Sequence, residues 1–179
     1  MKTSSQIGRL TAVALAAAFM CVLSPFSFPI GALSMSLGSF CLYLIALLFR
    51  PSDAFFAVLL YLTVGFLGLP VFAGFSGGAQ MLFGATGGFL LAYPFAALLI
   101  SSLSGVGRVH SIVWRSISLL LGTLFLYAGG SIGYFAVTGV PLGSAVIAAV
   151  LPFVFGDLLK MAAAFLIFSR LSPFLMKKG

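Results

Sequence analysis

One stretch of this sequence, Gly156-Asp157-Leu158-Leu159-Lys160, sets an acid and a base three residues apart in an otherwise apolar run. Residues at that spacing lie on the same helix face, so both charges point one way. The rest of the titratable inventory is sparse: the other acid is Asp53, the only histidine is His110, and there is no glutamate. Most acid/base catalysis is thereby excluded. Glycosidase-like chemistry needs two carboxylates, a catalytic zinc site needs about three N, S or O ligands, and a metal-type intramembrane protease needs clustered histidines and acids. No lysine follows a glycine, so the GxxxxGK[ST] phosphate loop is missing and any energy from ATP must come from a partner. Cys21 and Cys41 sit inside apolar stretches and read as small core hydrophobes. No enzyme activity, catalytic residue, metal or cofactor is expected.

A charge near a bilayer centre costs at least about 2.5 kcal/mol on insertion scales, so Asp157 and Lys160 ask for something polar to meet them. A self-satisfied pair that only fixes helix packing is one answer, though buried pairs stabilise poorly compared with apolar residues. A ligand site is the other. With a helix beginning at Pro152, Asp157 falls roughly 8 Å below the outer rim, and the site opens outward. A second signal is glycine density from Gly65 through Gly68, Gly74, Gly77 and Gly78 to Gly84, Gly87 and Gly88. Missing side chains let backbone approach a ligand or a neighbouring helix, and non-helical backbone at membrane depth needs protein or a cavity around it. Gln80 and Thr86 are its polar groups, and Phe72 and Phe75 are candidates for an apolar wall. A third signal is Ala12, Ala14, Ala16 and Ala18, whose small-xxx-small spacing marks helix interfaces, within the chain or with another protein.

These residues must be held by membrane-spanning helices. Of 179 residues, 62% are hydrophobic and 6% charged, against about 45–50% and about 25% in a soluble domain. Residues 10–49, 54–107 and 116–156 carry no formal charge. The expected fold is all-α, a single polytopic membrane domain over residues 1–179 with six crossings. They run from Leu10 to Leu23, Leu33 to Phe49, Ala54 to Leu69 (its start capped by Ser52 or Asp53), Thr86 to Leu103 (kinked at Pro94), Val109 to Ala128, and Pro152 to Ser169. The fifth exits into glycines 129, 130 and 133, and residues 134–151 read as an outer loop with a short surface helix. This order puts Lys2, Arg9, Arg50, Arg108, Arg115, Arg170, Lys177 and Lys178 on one side, with glycine-rich loops on the other. By the positive-inside rule that side, with both termini, is the cytoplasm. The net charge of +7 is thus topological and calls for no nucleic-acid partner, and His110 joins Arg108 and Arg115 at the lipid headgroups.

Three ordered motifs, PVFAGF at Pro70–Phe75, GATGGF at Gly84–Phe89 and LPFVFGDLLK at Leu151–Lys160, together resemble the BioY family, the biotin-specific S components of energy-coupling factor (ECF) transporters. The resemblance spans almost the whole chain, and departs from the usual pattern at Ala85, where proline is common, and at Phe89, where tyrosine is common. It implies capture of biotin at the outer face of a prokaryotic plasma membrane. Uptake then follows when a transmembrane T component and two ABC ATPase subunits join. It assigns Asp157 and Lys160 to the ligand site, with Gln80, Gly77, Gly78, Thr86, Tyr93 and Phe75 beside them. The T-component contact falls on Ala14 and Ala18, with Ala12 and Ala16 as the other register. Two rivals stand beside it: a stand-alone facilitator or channel for a small polar solute, and an S component for another vitamin.

Overall fold

The computed structural model describes residues 2–30, 33–105 and 112–176. Arg108, His110, Lys177 and Lys178 lie outside the described residues, and so does the expected start of the fifth crossing at Val109. The described chain is mostly helical: α1 Lys2–Leu23, α2 Gly38–Leu48, α3 Pro51–Phe66, α4 Ala79–Leu82, α5 Gly87–Ser104, α6 Ile112–Thr138, α7 Leu142–Ala149 and α8 Val154–Met176, with strands β1 Ser27–Ile30 and β2 Leu33–Ser36 between α1 and α2.

The hairpin corrects the all-α expectation and moves the start of the second helix from Leu33 to Gly38. Pro25 and Pro29 bar a helix there. β1 and β2 pair antiparallel, Ser27 opposite Ser36 and Pro29 opposite Ser34, and a two-stranded sheet has only edge strands, where proline is tolerated.

The start of α3 is a second correction. Pro51 takes the first helical position and Arg50 caps without a side-chain hydrogen bond, so neither Ser52 nor Asp53 is the cap. Asp53 is left in the first turn, where Arg9 of α1 holds it. The start of α8 is a third: it begins at Val154, two residues beyond Pro152, which puts Asp157 in the first turn.

Glycines 129, 130 and 133 do not end the fifth helix, which runs to Thr138. They lie where α6 meets α5. A Cβ on Gly133 would overlap Gly88, and one on Gly130 would overlap the Phe89 ring. Here glycine serves close approach of two helices, the same role small residues have at helix interfaces in lipid.

At the centre stands α2. All of its residues but Phe40 and Leu48 are buried, packed among α1, α3, α5 and α8. The outer helices instead expose large apolar side chains, among them Leu10, Leu15 and Val22 of α1, Leu124 and Phe125 of α6, and Leu159 and Leu166 of α8. Surface of this extent and kind matches lipid rather than water. Among the described residues, three helices are long and apolar enough to span a bilayer by themselves, Gln6–Leu23, Gly87–Ser104 and Ile112–Thr138, while α2 and α3 are apolar but shorter.

Arg9, Arg50, Arg115 and Arg170 gather at one end. Arg9 reaches Asp53 with two hydrogen bonds, Ser101 near the end of α5 donates to the Phe49 carbonyl at the α2–α3 corner, and the Arg115 guanidinium lies 4.6 Å from the centre of the Phe168 ring. The hairpin and the α3–α4 connection lie at the other end, joined where the Gly74 N–H donates to the Pro25 carbonyl.

Candidate functional site

At the hairpin end a cleft of about 710 Å³, part of it open at the mouth, enters the bundle. Leu33, Ser34, Met35 and Ser36 of β2 form one wall, and Phe72, Ala73 and Met81 a second. Phe89, Leu90 and Tyr93 of α5 face Leu126 and Tyr127 of α6, and Ser39, Asp157 and Lys160 contribute the charged and polar floor with Phe153 nearby. Gly156 has a local reason to be glycine: a Cβ there would overlap the Met35 side chain, so its absence lets β2 lie against α8 beside Asp157.

Asp157 and Lys160 are each about 10% exposed at the side chain and 3.2 Å apart. Asp157 Oδ1 accepts from Ser39 Oγ at 3.0 Å and from Lys160 Nζ, and Oδ2 accepts from the Tyr127 hydroxyl at 2.9 Å. Lys160 Nζ also donates to Ser39 Oγ at 3.0 Å. The carboxylate therefore takes three hydrogen bonds out of about four it can accept, and the ammonium uses two of its three donors among the described residues. Their charges cancel, and one acceptor position and one N–H are left without a partner among the described residues, on two side chains that line the cleft. Such a floor can bind a group that both donates and accepts, and the described residues contain no group of three or more potential metal ligands.

The structure brings Asp157, Lys160, Thr86 and Tyr93 to this cleft. Gln80, Gly77, Gly78 and Phe75 are not among its lining residues. Gln80 is exposed and donates from Nε2 to the Gly77 carbonyl at 2.8 Å, bracing its own loop. Gly77 passes so close to the Leu69 carbonyl that a Cβ would overlap it, and Gly78 has φ 92°. These two glycines shape the turn. Phe75 is turned out, its ring edge-on to Phe26, whereas Phe72 is buried and lines the cleft. On α1, Ala14 and Ala18 are exposed, Ala16 is buried and Ala12 is half-buried.

Sequence reasoning missed Ser39, Tyr127, Tyr61 and β2. The available signal was tyrosine itself. Of five in the chain, Tyr61, Tyr93 and Tyr127 line the cleft, and a phenol inside an apolar helix usually has a polar partner to reach.

A helical bundle with a lipid-matched exterior and a mostly apolar cleft over a buried, incompletely used ion pair defines an integral membrane protein that binds a small polar-ended molecule. The BioY family model matches residues 1–177. The chain is 36% identical over 161 residues to biotin transporter BioY2 of Lactococcus lactis, covering 88% of this chain and 86% of that one. It is 35% identical to biotin transporter BioY of Thermotoga maritima, covering 81% and 84%. Among solved structures it resembles the S-component for biotin from an ECF-type ABC transporter, with a TM-score of 0.86 and 27% identity, covering 97% of this chain and 95% of that one. This chain belongs to the BioY family.

Proposed function

We propose that this chain is a biotin-specific S component, a multi-pass protein of the cell membrane that captures biotin in the cleft and passes it on for uptake with a T component and two ABC ATPase subunits. The observation that carries the reading is the floor network, in which Asp157 keeps an acceptor position and Lys160 an N–H beside an apolar wall. Biotin has ureido N–H donors, ureido and carboxylate oxygens, and a thioether ring that prefers apolar surroundings. Asp157 accepts from a ureido N–H, Lys160 donates to a biotin oxygen, and Phe72, Phe89 and Leu90 cover the ring. Polar ends left unpaired in such a pocket are costly, which favours a ligand of this pattern. Thr86 and Tyr93 contribute hydroxyls at the wall; Gln80, Gly77, Gly78 and Phe75 act on the loop that frames the mouth.

The helices α1, α2, α3, α5, α6 and α8 supply six crossings of one membrane domain. Clustering of Arg9, Arg50, Arg115 and Arg170 at the end away from the cleft supports both termini in the cytoplasm and a cleft that opens outward. Ala14 and Ala18, exposed on α1, form the T-component contact. The chain works without a cofactor and performs no covalent step.

The test is direct. The detergent-purified chain binds labelled biotin by itself, and liposomes accumulate biotin only when the T component and ATPases are present with ATP. Accumulation by the chain alone would favour a facilitator, and a different vitamin co-purifying with it would change the ligand.

A further inference from the structure

The cleft floor has a second polar layer one helical turn beneath it. Counting four residues away from the mouth on each helix leads from Ser39 to Tyr43 on α2, from Tyr127 to Thr123 on α6, and from Asp157 to Met161 on α8. The three new side chains meet as the three above them do. The Tyr43 and Thr123 hydroxyls are hydrogen-bonded at 2.9 Å, and Thr123 Oγ1 lies 3.4 Å from Met161 Sδ and 2.8 Å from the Leu119 carbonyl. With Thr123 donating to that carbonyl, the Tyr43 O–H donates to Thr123 and both hydroxyls are satisfied. Tyr43 is fully buried and Thr123 nearly so, and neither lines the cleft.

A polar contact of this kind is not required to fill space, because valine and phenylalanine have nearly the same shapes. It does fix geometry. The upper layer joins side chains from three helices, and Tyr127 reaches Asp157 only if α6 keeps its height and rotation against α2 and α8. The lower layer pins those same three helices one turn away.

We propose that Tyr43 and Thr123 are positioning residues for ligand capture, holding α6 against α2 and α8 so that Tyr127, Ser39 and Lys160 present Asp157 to the ligand. This rests on the biotin reading above. The experiment is calorimetric titration of biotin into the detergent-purified full chain and its variants, each checked for monodispersity and melting temperature. Tyr43→Phe and Thr123→Val each weaken binding by about fivefold, the scale of one net hydrogen bond. The double variant is no weaker than either single one within about twofold, since both remove the same bond. Thr123→Ser keeps wild-type affinity. Leu47→Ala, a cavity one turn further along α2, lowers the melting temperature and leaves affinity unchanged.

Wild-type affinity in both Tyr43→Phe and Thr123→Val overturns the proposal, as does a loss in Thr123→Ser or Leu47→Ala equal to that in Thr123→Val. Should Tyr43→Phe not purify as a monodisperse protein, the two Thr123 variants decide. Wild-type protein is titrated alongside: its failure to bind biotin sinks the proposed function, whereas binding by wild type with unaffected variants sinks only the positioning role.

Discussion

Both acids of this chain are paired with a base, and the two pairs are built differently. Arg9 and Asp53 join α1 to α3 across 44 residues of sequence, with Arg9 half exposed and its guanidinium on both carboxylate oxygens. Asp157 and Lys160 sit on one helix, nearly buried, at a longer 3.2 Å and with Ser39 and Tyr127 sharing the carboxylate. The first pair commits its fork to its partner with the arginine half exposed, and pairs so exposed are screened and contribute little. The second is deep, neutral as a unit and left with unused valences on side chains that line a cleft. Burial alone does not separate a clasp from a binding site; what separates them is the hydrogen-bonding capacity that stays unused.

That contrast can be broken most severely at Asp157. Asp157→Ala or Lys160→Ala leaves an uncompensated charge and removes a ligand contact, and biotin binding should weaken by about 30-fold or more. Calorimetry on the purified variants measures it, and unchanged affinity in both would remove the site assignment. The double change Asp157→Leu with Lys160→Met sharpens the point. Replacing both charges by apolar groups is often neutral for stability, so the protein should keep its melting temperature and still not bind; retained binding would reduce the pair to a packing device. A smaller effect belongs to Tyr127→Phe, which takes one hydrogen bond from Oδ2 and should cost about fivefold in affinity. The smallest is at the other pair. Asp53→Asn should alter biotin affinity by less than about twofold, and a larger loss in the same titration would mean that the distant clasp reaches the cleft.

The sequence made the charged pair legible because charge in an apolar run is costly anywhere along it, whatever the tertiary arrangement. The bounds of α3 and α5 lie within three residues of those expected for a related reason, that apolar length between charges and prolines is a local property, whereas α1 begins eight residues before Leu10 and α8 runs seven beyond Ser169. Failures came where meaning depended on a distant neighbour. Glycines 129, 130 and 133 look like an exit from the membrane, yet they lie inside α6, where Gly88 and Phe89 of α5 pack against them. Residues 33–36 look like the start of a helix until the strand at 27–30 is there to pair with them. Ser39 and Tyr127 are ordinary residues of apolar helices until folding carries them to an acid 118 and 30 positions away. Gln80, singled out for its amide, finds its partner three residues away and braces a turn.

The eleven-residue helix α2 extends only about 17 Å, little more than half of a typical hydrocarbon thickness of about 30 Å. With all of its residues but Phe40 and Leu48 buried in protein, it has little mismatch with the surrounding acyl chains to relieve by tilting. Thinner or thicker membranes act first on α1, α5 and α6, while Ser39 rides on a shaft shielded by its neighbours.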